Sequence, residues 1–326
     1  MPKTAKQKIN DLDTAEVTKL RRELEEAKRK QRAAELAAKE AEKMAADYHA
    51  SNFEMPRQKV RKYQGKGSFV RIAFGDTHGC SLDQKAWNAF LADVETLKPR
   101  EIIHGGDILD CDGWLASHHT TNYVAQTSYS YADEVVAGNK MLDQLQSTAP
   151  NARIDLIEGN HDLRVETWCL TNAQKHAADA TFLINQISPR KVLNVDERGL
   201  NWFSRGDCHH GSAAGGTIQR GRCWFTHPST SSKHSACKMV ESFADNVVYF
   251  HTHRRDYFTK TDIKGGEHAA WCPGCMCVKR KYWHHTNLFG HTQGYHLQLV
   301  QSNGEFLGIN VPIIDGRSYL SGLVGV

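Results

Sequence analysis

Residues 69–79 read FVRIAFGDTHG, a short apolar run that ends in glycine and is followed at once by aspartate and histidine. Two later stretches also run from apolar residues through glycine to polar ones: 101–107 reads EIIHGGD, which ends in aspartate, and 154–161 reads IDLIEGNH, which ends in asparagine and histidine. Buried parallel strands read as short apolar runs, and open α/β sheets place their ligands beyond the carboxyl ends of the strands. These stretches therefore predict three parallel strands that carry polar side chains to one edge of a sheet.

Helical patterns lie between these strands, near 83–97 and 131–146, and another follows over 163–186. The alternation of strands and helices predicts a mainly parallel inner sheet with helices outside. The later part of the chain is richer in strands, with one helix near 233–243. Its predicted strands are 200–205, 222–226, 246–251, 256–263, 294–301 and 305–313. They indicate a second sheet packed on the first, so the fold class is α/β: two packed mixed β-sheets flanked by helices, an α/β/β/α sandwich.

The composition is that of a globular protein of 326 residues, with 40% hydrophobic and 24% charged residues. No apolar run approaches the ~20 residues of a membrane helix, and the N-terminal MPKTAKQKIN lacks the apolar core of a secretory signal. We therefore expect a cytoplasmic protein with no membrane partner. Its nine cysteines are then expected as reduced thiols or ligands, and its 18 histidines direct attention to metal chemistry.

A long charged helix is predicted ahead of the sheets, within residues 1–54. Asp13 and Glu16 form a capping box, and apolar and alanine positions over 13–48 follow heptad spacing. We expect a solvated helix. Self-association and contact with nucleic acid are the alternatives.

The basic charge of the chain belongs to this N-terminal part. Residues 1–62 carry 16 basic and 11 acidic residues, whereas the rest of the chain carries 25 and 26. Residues 55–68 form a basic linker with glycines, and 69–326 form the main domain. The main domain is close to neutral, so its composition indicates no broad surface for nucleic acid.

Five polar clusters each follow a predicted strand. They are GDTHG at 75–79, GDILD at 106–110, GNHD at 159–162, a single histidine at 227 and HTH at 251–253. Aspartate, asparagine and histidine are hard or borderline metal ligands. Each cluster alone is more often a turn or a set of surface residues with no ligand role. Five clusters in this order favour a metal site at the edge of the sheet.

This order of motifs resembles the calcineurin-like metallophosphoesterase superfamily over residues 69–316. The segments GYHLQLV and NGEFLGINVPIIDG, within 294–316, resemble the final hairpin of phage-encoded members, for which the location would be the host cytoplasm. Two residues depart from the family pattern. Phe250 replaces the glycine before the last H-x-H, and Pro228 replaces the glycine after the single histidine. Both departures alter loop backbone and leave the ligand chemistry unchanged.

The resemblance implies two divalent metal ions at the strand ends. The first would be held by Asp76, His78, Asp107 and His253, and the second by Asp107, Asn160, His227 and His251. Asp107 would thus bridge the two ions. His209 and His210 are alternatives to His227, which is favoured because it ends a strand and precedes His251 with a helix between them. Family habit favours Mn²⁺, with Fe and Zn²⁺ as the other fitting metals.

The charges of such a centre favour phosphate chemistry. Two divalent cations with two carboxylates keep a net charge of about +2, which attracts phosphate. The same charge brings the pKa of a bridging water toward neutrality, and the resulting hydroxide attacks phosphorus. The resemblance implies that His161 is a general acid for the leaving oxygen, oriented by Asp110. Arg164 is a phosphate contact or, equally, a surface ion pair. The alternative for His161 is a purely structural role.

A cluster of thiols, Cys272, Cys275 and Cys277, lies outside these motifs in the stretch CPGCMC. The family has a glycine-containing loop beside the active site at this point. The alternative is a structural zinc site completed by a further histidine or cysteine from elsewhere.

The motif details favour a phosphodiesterase. Protein phosphatases of the superfamily carry G-D-x-x-D-R-G and G-N-H-E, whereas this chain reads GDILDCDG and GNHD. The second pattern resembles the branch of phosphodiesterases, repair nucleases and nucleotide pyrophosphatases. We therefore expect a metal-dependent hydrolase of DNA or nucleotide diesters. The alternatives are a phosphomonoesterase or protein phosphatase of the same fold, and a non-catalytic scaffold acting through the N-terminal helix.

Overall fold

The computed structural model describes residues 18–19, 22–30, 32, 39, 67–116, 129–173, 176–205, 216–229, 232–279 and 290–320. By compactness the chain divides into two units, Met1–Met55 and Pro56–Val326. In the first unit the described residues are helical and exposed. The rest of the predicted N-terminal helix, and the linker up to residue 66, lie outside the described residues.

The described part of the second unit contains two β-sheets. The strands are β1 (Phe69–Phe74), β2 (Glu101–His104), β3 (Arg153–Ile157), β4 (Asn201–Phe203), β5 (Thr217–Arg220), β6 (Cys223–Thr226), β7 (Val247–Tyr249), β8 (Arg255–Thr261), β9 (Glu267–Pro273), β10 (Gln293–Val300), β11 (Phe306–Ile314) and β12 (Arg317–Ser318). The seven-stranded sheet has the order β12-β11-β10-β1-β2-β3-β4, and the five-stranded sheet has the order β5-β6-β7-β9-β8.

Both sheets are mixed. In the larger sheet β1 to β4 run parallel, whereas β10 pairs antiparallel with β1 and with β11. In the smaller sheet β6, β7 and β9 run parallel between antiparallel edges. The parallel strands therefore end at the same edge of each sheet.

Helices connect and cover the strands. They are α1 (Gln84–Leu97), α2 (Tyr131–Thr148), α3 (Arg164–Asn172), α4 (Ala177–Ile187), α5 (Pro189–Val192) and α6 (Ser235–Phe243). Asp83 caps α1 by accepting hydrogen bonds from two backbone amides, and Ser130 caps α2 in the same way with one. The helical pattern predicted over 163–186 is found as two helices, α3 and α4, because the backbone leaves the helical conformation at Ala173 and α4 begins only after His176. None of the described helices is long and apolar enough to cross a membrane.

The core follows the period of two that strands impose. Ile72 and Ile102 face the cluster beneath α1 and α2, whereas their neighbours Ala73 and Ile103 face the smaller sheet. Helix α6 covers the far side of the smaller sheet through Val240. The layers are thus helix, sheet, sheet and helix, which confirms the predicted fold class.

Candidate metal centre

The loops after β1 and β2 extend the sheet and bring two motifs side by side. The backbone amide of Asp76 donates to the carbonyl of Gly106 at 3.0 Å, and the amide of His78 donates to the carbonyl of Asp107 at 3.0 Å. These bonds place the two predicted carboxylate ligands in adjacent turns.

Five of the seven predicted ligands have a left-handed backbone. They are Asp76 (φ 53°), His78 (φ 51°), Asp107 (φ 53°), His251 (φ 80°) and His253 (φ 55°). This conformation costs about 1–3 kcal/mol for a residue other than glycine, and such residues cluster at functional sites. The packing therefore holds these side chains in an orientation that the isolated loops would avoid.

The first predicted ligand group is assembled. Asp76, His78, Asp107 and His253 each offer one ligand atom within 4.8 Å of the others. The Nε2 atom of His253 lies 3.2 Å from Oδ1 of Asp76 and 3.1 Å from Nε2 of His78. The Nε2 atom of His78 lies 3.8 Å from Oδ2 of Asp107.

The second group meets the first at Asp107. Ligand atoms of Asp107, His227 and His251 lie within 4.8 Å of one another. The Nε2 atom of His227 lies 3.3 Å from Oδ2 of Asp107 and 2.9 Å from Oδ1 of Asn160. All seven predicted residues are thus brought together, and their role as ligands stays a prediction. The alternatives His209 and His210 lie outside the described residues.

The donor set fits divalent cations. Apart from its 3.2 Å ion pair with Nε2 of His253, the buried Oδ1 of Asp76 makes no hydrogen bond, so a cation would complete the pairing of this carboxylate. The Nε2 atoms of His78 and His253 lie 3.1 Å apart, as two ligands of one ion would. Mixed carboxylate, amide and imidazole donors suit Mn²⁺, Fe and Zn²⁺, and they do not select one of the three.

Burial and neighbouring side chains shift the pKa values of the candidate ligands. Burial opposes ionisation of Asp76, but neighbouring His253 lowers the pKa of this carboxyl to about 2. Burial lowers the pKa of His251 to about 4, which keeps the ring neutral as a metal ligand must be. Burial also favours neutral His253, yet Asp76 raises the pKa of that imidazole to about 10. A metal that binds His253 must therefore displace a proton.

His161 lies beside this centre and is held by Asp110. Its Nδ1 atom lies 2.7 Å from the carbonyl oxygen of Asp110 and 3.0 Å from Oδ1 of the same residue. Its Nε2 atom lies 4.0 Å from Oδ2 of Asp107. The guanidinium of Arg164 contacts Nε2 of His161 at 3.2 Å and donates to the carbonyl of Asp110. Arg164 also forms an ion pair with Asp112 at 3.8 Å, and its role as a phosphate contact stays a prediction.

Two buried carboxylates behind the site, Asp162 and Glu134, were not identified from the sequence. Asp162 accepts hydrogen bonds from the amides of Ile108, Leu109 and Gly159, and burial raises the pKa of its carboxyl to about 6. Glu134 accepts from the amide of Asp110 at 2.6 Å and from the amide of Cys80 at 3.2 Å. The last letter of GNHD was a signal for Asp162. Glu134 offered none, because glutamate is ordinary in the first turn of a helix.

The two departures from the family pattern leave the ligand groups intact. The ring of Phe250 is buried between the sheets, against Gly75 and Gly105. A Cβ atom at Gly105 would lie 2.0 Å from this ring, so the large side chain depends on glycine there. Pro228 is half-buried, and the preceding His227 still reaches Asp107.

The three thiols of CPGCMC are not gathered into one group. Cys272 lies in β9 within the cluster beneath α6, and its sulfur contacts the hydroxyl of Thr252 at 3.3 Å. The sulfur of Cys277 and ligand atoms of His78 and His253 lie within 4.8 Å of one another. In the described part of the chain, no other cysteine belongs to such a group of three. The described residues thus contain no zinc site built from these three cysteines.

Comparison with known proteins finds similarity to solved structures. No protein-family model matches the chain, and no curated protein matches its sequence. Among solved structures it is similar to vacuolar protein sorting 29 from Cryptosporidium parvum, at 12% identity over 77% of this chain and 95% of that chain, with a TM-score of 0.38. It is also similar to YfcE, a phosphoesterase from E. coli, at 13% identity over 74% and 98% of the two chains, with a TM-score of 0.30. A third similar structure is the Pseudomonas putida nuclease MPE, at 13% identity over 73% and 87%, with a TM-score of 0.29. These similarities concern the fold at low identity. The two packed sheets of this chain gather at their strand ends the motif residues on which the resemblance to the calcineurin-like metallophosphoesterase superfamily rests.

Proposed function

We propose that this protein is a metal-dependent phosphoester hydrolase that cleaves a phosphodiester of DNA or of a nucleotide. One observation carries the proposal. Asp107 belongs to two groups of buried and half-buried candidate ligands at once, and Nε2 of His161 lies 4.0 Å from its carboxylate. A site with room for two cations beside an imidazole has the parts that phosphoester hydrolysis needs.

The residues of the site determine its charge. Divalent cations held by these residues would supply positive charge to the phosphate oxygens and would bring the pKa of a water close to neutrality. Asp76 and Asp107 contribute two negative charges, and the other five ligands are neutral when they bind metal. The centre therefore keeps a net positive charge of about +2 and attracts a phosphate anion.

His161 supplies the proton. Asp110 holds Nδ1 of the imidazole through its carbonyl and its carboxylate, so Nε2 faces the centre. Nε2 then donates its proton to the departing oxygen. Arg164, which contacts the same Nε2, is placed to bind a phosphate oxygen beside the leaving group.

Two details of the motifs support a diester of DNA or nucleotide. The chain has aspartate after G-N-H where the protein phosphatases have glutamate, and it lacks the R-G pair after G-D-x-x-D. A phosphomonoester or phosphoprotein substrate is the alternative, and a non-catalytic scaffold is the second.

Hydrolysis of bis-p-nitrophenyl phosphate by chelator-treated protein, with and without added Mn²⁺, Zn²⁺ or Fe²⁺, tests the proposal. We expect turnover that requires metal, that exceeds turnover of p-nitrophenyl phosphate, and that is lost in Asp76→Asn. Asp179→Asn, on the exposed side of α4, is the matched control. A panel of DNA, nucleotides and a phosphoprotein then identifies the substrate. Metal binding without any hydrolysis would leave the scaffold as the explanation.

A further inference from the structure

The segment after β9 lies against two candidate ligands of the first metal group. The amides of Met276 and Cys277 both donate to the carbonyl of Asp76, at 3.3 and 3.1 Å. The amide of Cys275 donates to the carbonyl of Thr292, whose own amide donates to the carbonyl of His253 at 2.8 Å. The segment 275–277 therefore holds the backbone of Asp76 directly and that of His253 through Thr292.

One side chain of this segment also reaches the imidazole. The sulfur of Cys277 is buried and lies 3.8 Å from Nδ1 of His253, within hydrogen-bond distance for sulfur. The opposite nitrogen, Nε2, faces Oδ1 of Asp76 at 3.2 Å. The two ring nitrogens of His253 thus have separate partners, one behind the ring and one in the candidate metal site.

The same arrangement recurs at two other histidines of the site. Nδ1 of His78 lies 2.9 Å from Oδ1 of Asp110, and Nδ1 of His227 lies 2.8 Å from the carbonyl oxygen of Gly105. In both, Nε2 faces the centre. Histidines that bind metal through one nitrogen usually donate the N–H of the other to an oxygen acceptor behind the ring. At His253 the atom in that place is a sulfur.

We propose that Cys277 is a positioning residue for the first metal site, and the inference rests on the proposed function. Its sulfur accepts the Nδ1–H of His253. A neutral imidazole has a single N–H, so this bond leaves the lone pair on Nε2 and directs it toward Asp76. Oδ1 of Asp76 is buried and lies 3.2 Å from Nε2 on that side of the ring, so the two atoms face each other as neighbouring ligands of one cation would. Of the three thiols singled out in the sequence, Cys277 is therefore assigned as support for this site.

Metal affinity tests the proposal without any need for turnover. The full-length protein, its Cys277→Ala and Cys277→Ser variants, and Cys169→Ala are titrated with Mn²⁺ in competition with a chelator. Cys169 is a buried thiol in the apolar core on α3 and serves as the matched control. We expect Cys277→Ala to weaken one of two sites by about 10–100-fold and to leave the other unchanged. Serine should restore part of the loss, and Cys169→Ala should bind as the wild type does.

Cobalt distinguishes a supporting sulfur from a coordinating one. With Co²⁺ bound, we expect no sulfur-to-cobalt charge-transfer absorption in the wild type, because the sulfur faces Nδ1 and not the ion. Such a band, absent from Cys277→Ala, would overturn the proposal, as would equal Mn²⁺ affinity in the two proteins. Thermal unfolding of each variant without metal checks its folding, and Cys277→Ser decides the question if the alanine variant does not fold. If the protein binds two ions and Cys277→Ala weakens one site as expected, but no substrate is hydrolysed, the proposed function is refuted and the role of Cys277 stands.

Discussion

The Oδ2 atom of Asp107 lies 3.3 Å from Nε2 of His227. Asp107 follows β2 of the larger sheet and His227 follows β6 of the smaller sheet, so this contact joins the carboxyl ends of the two layers. The candidate metal centre is therefore built across the interface between the sheets. Its assembly depends on how the sheets pack as well as on either motif.

Asp107→Asn is expected to lower metal content from two ions per chain to one or fewer. Asparagine keeps the size of the side chain but removes the charge that both ligand groups share. Elemental analysis after Mn²⁺ loading and gel filtration measures the content, with Asp179→Asn as the control. Two ions retained in Asp107→Asn would rule out a bridging carboxylate.

His161→Asn should retain both metal ions and lose roughly 10²–10⁴-fold in kcat on diesters with poor leaving groups, because the departing oxygen then lacks a proton donor. The loss should shrink for p-nitrophenyl esters, whose leaving group departs without a proton. Rates are compared for aryl and alkyl diesters of otherwise equal structure. Equal losses on both would indicate a structural role for His161 instead.

Glu134→Gln should destabilise the protein by about 1–3 kcal/mol, because an amide side chain offers one acceptor oxygen where the amides of Asp110 and Cys80 need two. We also expect a lower kcat on poor leaving groups, since Asp110 orients His161. Urea unfolding and the same pair of diesters measure the two effects. The idea fails if stability and kcat both stay at wild-type values. Glu241→Gln, on α6 at the surface, is the control.

Stability is expected to fall with acid because of two buried neutral histidines. Burial lowers the pKa of His296 to about 4 and that of His104 to about 3. Each histidine is protonated more easily in the unfolded chain, with a pKa near 6.5, so the stability present above pH 6.5 is lost as the pH falls. Each accounts for about 2 kcal/mol between pH 7 and pH 5.

His296→Gln isolates one of these contributions. Nδ1 of His296 donates to Oδ1 of Asn310 at 2.9 Å, and a glutamine amide can donate there without titrating. Urea unfolding at pH 7 and pH 5 should show a drop smaller by about 2 kcal/mol in the variant than in the wild type. An equal drop in both would contradict the assignment to His296.

Deletion of residues 1–62 should leave turnover of a small diester nearly unchanged, because every motif residue lies between Asp76 and His253. If this segment contacts nucleic acid, the truncation weakens DNA cleavage and flattens its salt dependence. If it self-associates, light scattering shows a smaller particle. A folded, metal-loaded truncation that no longer hydrolyses the small diester would refute this division of roles.

The strands nearest the site were the most predictable part of the fold. β1 and β2 have the predicted bounds because each is a short apolar run stopped by glycine. β9 was missed although it lies inside the smaller sheet. Its sequence, EHAAWCP, has neither alternation nor β-branched residues, and its place beside β7 comes from packing against α6 and the larger sheet.

The site residues that directly follow a strand could also be predicted from the sequence. Motif residues directly after strands can be placed from topology alone, because parallel strands end together. Glu134 and Cys277 could not be placed in this way. Glu134 reaches the site from a helix, and Cys277 from a turn after the unpredicted β9, so both depend on how distant segments pack.

The contact of Phe250 with Gly105 has a consequence for how this sequence can change. Since any side chain at position 105 would overlap the ring, a substitution there is tolerated only after Phe250 has become small. Gly75 is bound to the same partner, with 2.8 Å between its Cβ position and the ring. The three positions thus form an epistatic set in which the order of mutation matters. Combinatorial libraries should recover a β-carbon at 75 or 105 together with a shortened residue 250, and rarely otherwise.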